Sequence, residues 1–244
     1  MQRYFIELAY DGTDYCGWQR QPIVSSVQQT IEEALTKLNS NEEIKVMGCG
    51  RTDTGVHASH FVLHMDHPEI DDCDKMAFKL NKMLPHSIAI HSIYKVDTKA
   101  HARFHATSRT YRYFIHKEKN PFKHNQSWLL LHSLNLEEMN KASQHLLGKQ
   151  DFTSLSKLHT DVKTNICSVS KASWIKLSDT EYYFEITADR FLRNMVRATV
   201  GTLVDVGLGK LNPDDIPAIL EAKNRSAAST SVPACGLFLW KVEY

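Results

Sequence analysis

The apolar residues of this chain change their spacing in a fixed order, and that order limits the possible folds more than any other feature. Tyr4, Ile6 and Leu8 alternate with Phe5, Glu7 and Ala9, a strand period ended by the turn pair Asp11-Gly12. Ser26 followed by Gln29 reads as a capping box, after which Val27, Ile31, Ala34, Leu35 and Leu38 form a helical stripe. Two extended segments follow, roughly 44 to 49 and 58 to 66, then a helix near 74 to 84 and a strand near 88 to 95. The second half repeats the order. SRTYRYFIH is a strand, Asn135 with Glu138 opens a helix predicted to end at Gly148, and SVSKASWIKL and EYYFEITA pair around Ser178-Asp179-Thr180. A long helix is predicted from about 191 to 206, then one capped by Asn212 with Pro213 at its first position, and GLFLWKVEY closes as a strand. Two βαββαβ halves predict an α+β fold of two ferredoxin-like units, with a mixed, mainly antiparallel sheet flanked by helices. The halves are 1–100 and 101–244, with the crossing near 97–107.

At 244 residues with 42% apolar and 23% charged side chains, such a chain can bury a core without staples. Its five cysteines are scattered, with no C-x-x-C pair, so reduced thiols are expected rather than a disulfide framework or a zinc knuckle. The N-terminus has charges inside its apolar stretch and no apolar run approaches membrane-spanning length, so a cytoplasmic location without membrane attachment is expected. A net charge of +1 implies no polyanionic partner by itself; only local clustering can do so.

Three stretches concentrate chemistry. GCGRTDTGVHAS (48–59) sets Asp53 among glycines and polar residues, where it can be a nucleophile, a metal ligand or a turn carboxylate. Arg51, two residues away, would share its face on an extended segment and favour the ionised carboxylate. His57, His60, His64 and His67 crowd the next strand, but at strand period and without acid or thiolate partners at metal spacing, so no metal is expected. Cys49 with His57 as base is a further candidate pair, although a cysteine at a strand end is more often a small apolar residue. The stretch from His101 to His124 holds Arg103, Arg109, Arg112, Lys117, Lys119 and Lys123 against Glu118 alone, interleaved with Phe104, Tyr111, Tyr113, Phe114 and Phe122. Cations neutralise phosphates and aromatic faces stack bases, so this mix suits a nucleic-acid surface, or else a solvated strand edge. In FLRNMVRATVGTLVDVG, Arg197 shares a stripe with Val200 and Val204 and needs an anionic partner, with Asp53, Asp205 or a surface glutamate as candidates.

Together YDGTDYCGWQRQ, GCGRTDTGVHA, HARFHATSRTYRY, FLRNMVRATVGTLVDVG and GLFLWKVEY resemble, in order, the bacterial tRNA pseudouridine synthase A family from Tyr4 to Tyr244. The resemblance implies the pseudouridine synthase fold, with the catalytic-aspartate loop in the first half and the tyrosine strand and arginine helix in the second. Asp53 matches the family's catalytic aspartate. Tyr111 matches the catalytic tyrosine that stacks on the target uracil and assists proton removal from C5, Arg197 the arginine that pairs with the catalytic aspartate, and Leu237 an apolar pocket residue. Arg51 and Arg20 correspond to arginines that help flip or hold the RNA. It also implies action on uridines 38, 39 and 40 of the tRNA anticodon stem-loop, no cofactor, and a homodimer. Cys49 stands where many members carry alanine, and Arg193 adds a charge beside the site. The expected reading is thus an enzyme. An RNA-binding module without chemistry and a metal-dependent hydrolase using Asp53 and the histidines are its rivals.

Overall fold

The computed structural model describes residues 1–157 and 163–244. Within them are ten strands and five α-helices: β1 (Gln2–Tyr10), α1 (Val27–Leu38), β2 (Val46–Gly48), β3 (His57–His67), α2 (Cys73–Met83), β4 (Ile88–Val96), β5 (Ser108–His116), β6 (Trp128–Leu129), α3 (Leu136–Gln144), β7 (Gly148–Asp151), β8 (Ile166–Lys176), β9 (Glu181–Ala188), α4 (Met195–Gly207), α5 (Asp215–Glu221) and β10 (Leu237–Glu243). The pairing is mainly antiparallel, with parallel exceptions at β3–β10 and β5–β6, and the class is the expected α+β. The chain falls into two compact units, one of residues Met1–Thr107 and Phe238–Tyr244, the other Ser108–Leu237.

In the first unit β4 pairs with β1, β1 with β3 and β3 with β2, all antiparallel, which is the strand order of a split βαβ unit. Tyr4, Ile6 and Leu8 stand opposite Met65, Leu63 and Phe61, and all six are buried, as are Val27, Ile31 and Leu35 of α1 and Leu80 of α2. The period read from sequence is therefore the period of this layer. The alternation on β3 misleads in one respect: Val62 and His64, on the other face, are buried too. The closing strand β10 runs parallel to β3, with Phe238 opposite His57.

The second unit pairs β5 with β9, β9 with β8 and β8 with β7, while β6 adds to β5. Tyr113 and Ile115 stand opposite Phe184 and Tyr182, and Trp174 opposite Phe184, all buried. Both predicted capping boxes are half formed. Ser26 accepts from Gln29 N and Asn135 from Glu138 N, but the return side chains bond forward instead, Gln29 to Glu33 and Glu138 to Lys141.

Three predicted helix boundaries move. The helix predicted to reach Gly148 ends at Gln144, continues as tight turns through Leu147, and Gly148, with φ of 89°, starts β7. The helix expected from 191 begins at Met195, because Asn194 is left-handed and its amide donates to Ser231 Oγ at 2.6 Å. That leaves Phe191 outside the helix, edge-on to Tyr111 with centroids 4.9 Å apart. The last helix starts at Asp215 rather than after Asn212, since Asp215 Oδ2 accepts from Asn212 N across a preceding turn. The short strands β6 and β7 have no hydrophobic period long enough to be read.

Candidate active site

Asp53 lies half-buried on the irregular connection between β2 and β3, a segment held through its backbone. Thr52 O accepts from Trp18 N at 3.3 Å, Gly55 N donates to Tyr15 O at 3.3 Å, and Val56 N closes a turn onto Asp53 O at 3.1 Å. Tyr10 Oη and Thr52 Oγ1 are 2.9 Å apart, both buried. Gly17 makes this possible: its φ is 82°, and a Cβ there would sit 2.3 Å from Thr52 O. YDGTDYCGWQRQ and GRTDTGVH are thus two halves of one cradle. Beneath it, Trp18 stacks on Phe61 at 4.0 Å.

The expected face-sharing of Arg51 and Asp53 takes no such form. The segment is not a strand, and Arg51 is exposed while Asp53 is half-buried. Arg20, also exposed, is steered by Glu32, a carboxylate buried in α1 whose Oε2 lies 3.2 Å from the guanidinium. The same carboxylate accepts from Gln28 Nε2 at 3.0 Å and from Val46 N at 3.2 Å, so one buried group ties Arg20 to the start of β2. Glu32 has no place in the apolar stripe read from sequence, and its burial beside Ile31 and Leu35 is what the fold adds.

The histidines of β3 have a definite role. His57 Nδ1 accepts from Gly12 N, His64 Nδ1 from Ala102 N and His60 Nδ1 from Val242 N, each at 3.1 Å. Each imidazole pins a backbone segment to the strand. Burial pushes His64 down to about 4, helped by Arg3 and His101, and lowers His60 as well, so both remain neutral acceptors. Among the described residues no three His, Cys, Asp or Glu side chains are grouped to hold a metal. Cys49 is buried at the end of β2, and His57, stacked on Phe238 at 4.5 Å, has its Nδ1 3.1 Å from both Gly12 N and Asp11 Oδ1.

In the second unit the segment 229–236 joins the remaining expected residues. Arg197 Nε donates to Val232 O at 2.8 Å, Tyr113 Oη donates to Pro233 O at 2.8 Å, and buried Leu237 follows directly. Gly201 of α4 lets this segment close, since a Cβ there would lie 2.0 Å from Thr230 O, and Ser229 N donates to Thr202 Oγ1 at 3.2 Å. Sequence reasoning missed this tether, because Thr230 to Cys235 have no period and no charge. Tyr111 is half-buried, its ring braced by Phe191.

The basic stretch divides. Arg112 meets Glu185 at 2.5 Å and lies over the Tyr183 ring at 4.7 Å, Lys123 is paired with Glu181, and Arg109 donates to Asp189 O at 2.8 Å. Burial pushes the Glu185 carboxyl up, but hydrogen bonds from Lys171 and Arg112 outweigh it and hold it below the ordinary value. Those cations already meet groups of the fold, whereas Phe104 (73% exposed) and Phe122 (90%) face solvent.

Compared with known proteins, residues 8–105 and 142–244 match the family model described as tRNA pseudouridine synthase. The chain belongs to that family. The tRNA pseudouridine synthase A of Bacteroides thetaiotaomicron is 51% identical over 246 residues, covering all of this chain and 91% of that protein. Its namesake in Bacillus subtilis is 40% identical over 240 residues, covering 97% of each. As a tRNA pseudouridine synthase the chain is an isomerase, which makes pseudouridine in tRNA. The two ranges that match the family model leave out 106–141, and with them Tyr111 and the loop after β5. No helix among the described residues is long and apolar enough to cross a membrane.

Proposed function

We propose that this synthase isomerises uridine to pseudouridine at positions 38, 39 and 40 of the tRNA anticodon stem-loop, with Asp53 as catalytic nucleophile or base. The first half supplies the carboxylate; the second supplies the Tyr111 strand and the Arg197 helix. The observation that carries the reading is the cradle around Asp53, a functional carboxylate held by backbone hydrogen bonds on both sides of a glycine that tolerates no side chain. The reaction breaks the N1–C1′ bond, turns the detached uracil and joins C5 to C1′, so the base must be kept and water excluded. A rigid loop suits that demand, because a misplacement of about 1 Å can cost on the order of 100-fold in rate.

Tyr111 is assigned to stack on the uracil, Leu237 to line the pocket, and Arg197 to pair with the ionised Asp53, which burial would otherwise tend to neutralise. Arg51 and Arg20 hold the flipped RNA, whose extrusion costs a few kcal/mol offset by phosphate contacts and stacking. The enzyme works without a cofactor, as a cytoplasmic homodimer. Release of tritium from [5-³H]uridine-labelled tRNA tests this. Wild type should release it with or without EDTA, and Asp53→Asn should lose on the order of 10³-fold or more with its Tm little changed. Arg197→Ala should lose both activity and stability, because it strips the donor from Val232 O as well as the proposed partner of Asp53. Silence of the wild type would overturn the reading, abolition by EDTA would mean that the isomerisation needs a metal ion, and light scattering at the monomer mass would remove the dimer.

A further inference from the structure

His116, the last residue of β5, lines a cleft of about 300 Å³ formed by the loop that follows, by β6 and by the turn at 233–235. The volume is at the low end of ligand sites, roughly 300 to 1,000 Å³. The imidazole is only 3% exposed; one nitrogen, Nδ1, lies 2.9 Å from Ser127 Oγ, and the ring makes no other hydrogen bond among the described residues. Burial, with Lys123 nearby, lowers its pKa, so it presents a neutral ring nitrogen rather than a charge. The walls are flat and apolar: Pro121, Leu129 and Trp128, whose indole is braced edge-on by Tyr113 at 6.4 Å. At the rim Lys119 and His124 are exposed and neither is ion-paired among the described residues. No carboxylate lines the cleft, so it cannot itself supply the reacting aspartate, and Glu181, whose charge His116 feels, is paired with Lys123.

Flat apolar walls, an uncharged hydrogen-bonding ring at the base, and a lysine with a second imidazole at the mouth fit a nucleotide better than an aliphatic or acidic ligand. We propose that this cleft holds one unpaired nucleotide of the RNA substrate, other than the reacting uridine. Its base lies against Trp128 and Pro121, its edge bonds to His116, and its phosphate meets Lys119 and His124. The proposal rests on tRNA being the substrate and adds a second point of RNA recognition, in the 106–141 stretch that the family match leaves out.

The test uses the whole 244-residue chain. Trp128→Ala should raise KM for tRNA about tenfold, the scale of one lost base stack. Lys119→Ala should raise it a few-fold and reduce the salt dependence of KM by about one phosphate contact. In both, kcat should stay at the wild-type value and circular dichroism should be unchanged. Uridine and adenosine 5′-monophosphates, titrated separately, should quench wild-type tryptophan fluorescence weakly, and that quench should vanish in Trp128→Ala. Unchanged KM in both variants, while wild type releases tritium normally, overturns the proposal. So does micromolar binding of a free monophosphate with tRNA KM unmoved, which would assign the cleft to a free nucleotide. Absence of tritium release from wild type would instead strike the functional reading, with the titration still deciding whether a nucleotide binds here. Lys119 is a surface side chain, so its variant remains informative if Trp128→Ala fails to fold.

Discussion

The loop around Asp53 and the basic stretch from His101 to His124 looked equally functional in one dimension, yet they are built in opposite ways. The loop is shaped by backbone: two carbonyls and two amides tie it to residues 15 to 18, and glycine at 17 is needed for the approach. The stretch is shaped by side chains, and much of its charge is already engaged, with Arg112 on Glu185, Lys123 on Glu181 and Arg109 on a carbonyl. A motif that depends on backbone geometry keeps its local shape in the fold. A charge cluster does not, because its partners arrive from strands far away in the chain.

Two glycine substitutions probe whether backbone geometry shapes the loop. Gly17→Ala forces a side chain into a positive-φ position against Thr52 O; it should cost roughly 1–3 kcal/mol of stability and on the order of 100-fold in tritium release. Gly50→Ala meets nothing within 4 Å and should stay near wild type. Equal damage from both would mean that the cradle is not what positions Asp53.

The next test concerns the start of the basic stretch, which His64 pins through Ala102 N. Burial keeps His64 neutral down to about 4, whereas an unfolded imidazole protonates near 6.5. As pH falls the unfolded chain takes up the proton first, so stability is level above that range and drops between about 6.5 and 4. Urea denaturation should show a loss of roughly 2 kcal/mol from this site between pH 7 and pH 5. His64→Gln, which keeps an acceptor and cannot titrate, should reduce that loss; an identical pH profile would deny His64 the role.

The smallest expected effect is at Arg112. If its charge serves the fold, Arg112→Ala should lower stability by about 1–2 kcal/mol while KM for tRNA changes little. A tenfold rise in KM at unchanged stability would return Arg112 to the RNA surface and erase the contrast with the loop.

Much of this architecture was legible in one dimension because hydrophobic period is a local property. The alternation of β1 and the stripe of α1 are written in consecutive residues and survive folding. Helix ends were less legible, since the start of α4 depends on Asn194 reaching Ser231 across 37 residues. Of the site, Asp53 stood out through its glycines and its family motif. Glu32 and the 229–236 tether did not, because a buried glutamate and an uncharged loop acquire their roles only from what they touch.

The histidines of β3 show the same division most clearly. Their strand period, with no acid or thiolate at metal spacing, is plain in consecutive residues, and the family motif points to the class of reaction. What each imidazole does, accepting a backbone N–H from residues 12, 102 or 242, emerges only in the fold. Those donors lie between 38 and 182 residues away. A hydrogen bond is a short-range, directional contact, and no local pattern can encode a partner that the folded chain alone brings within 3.1 Å.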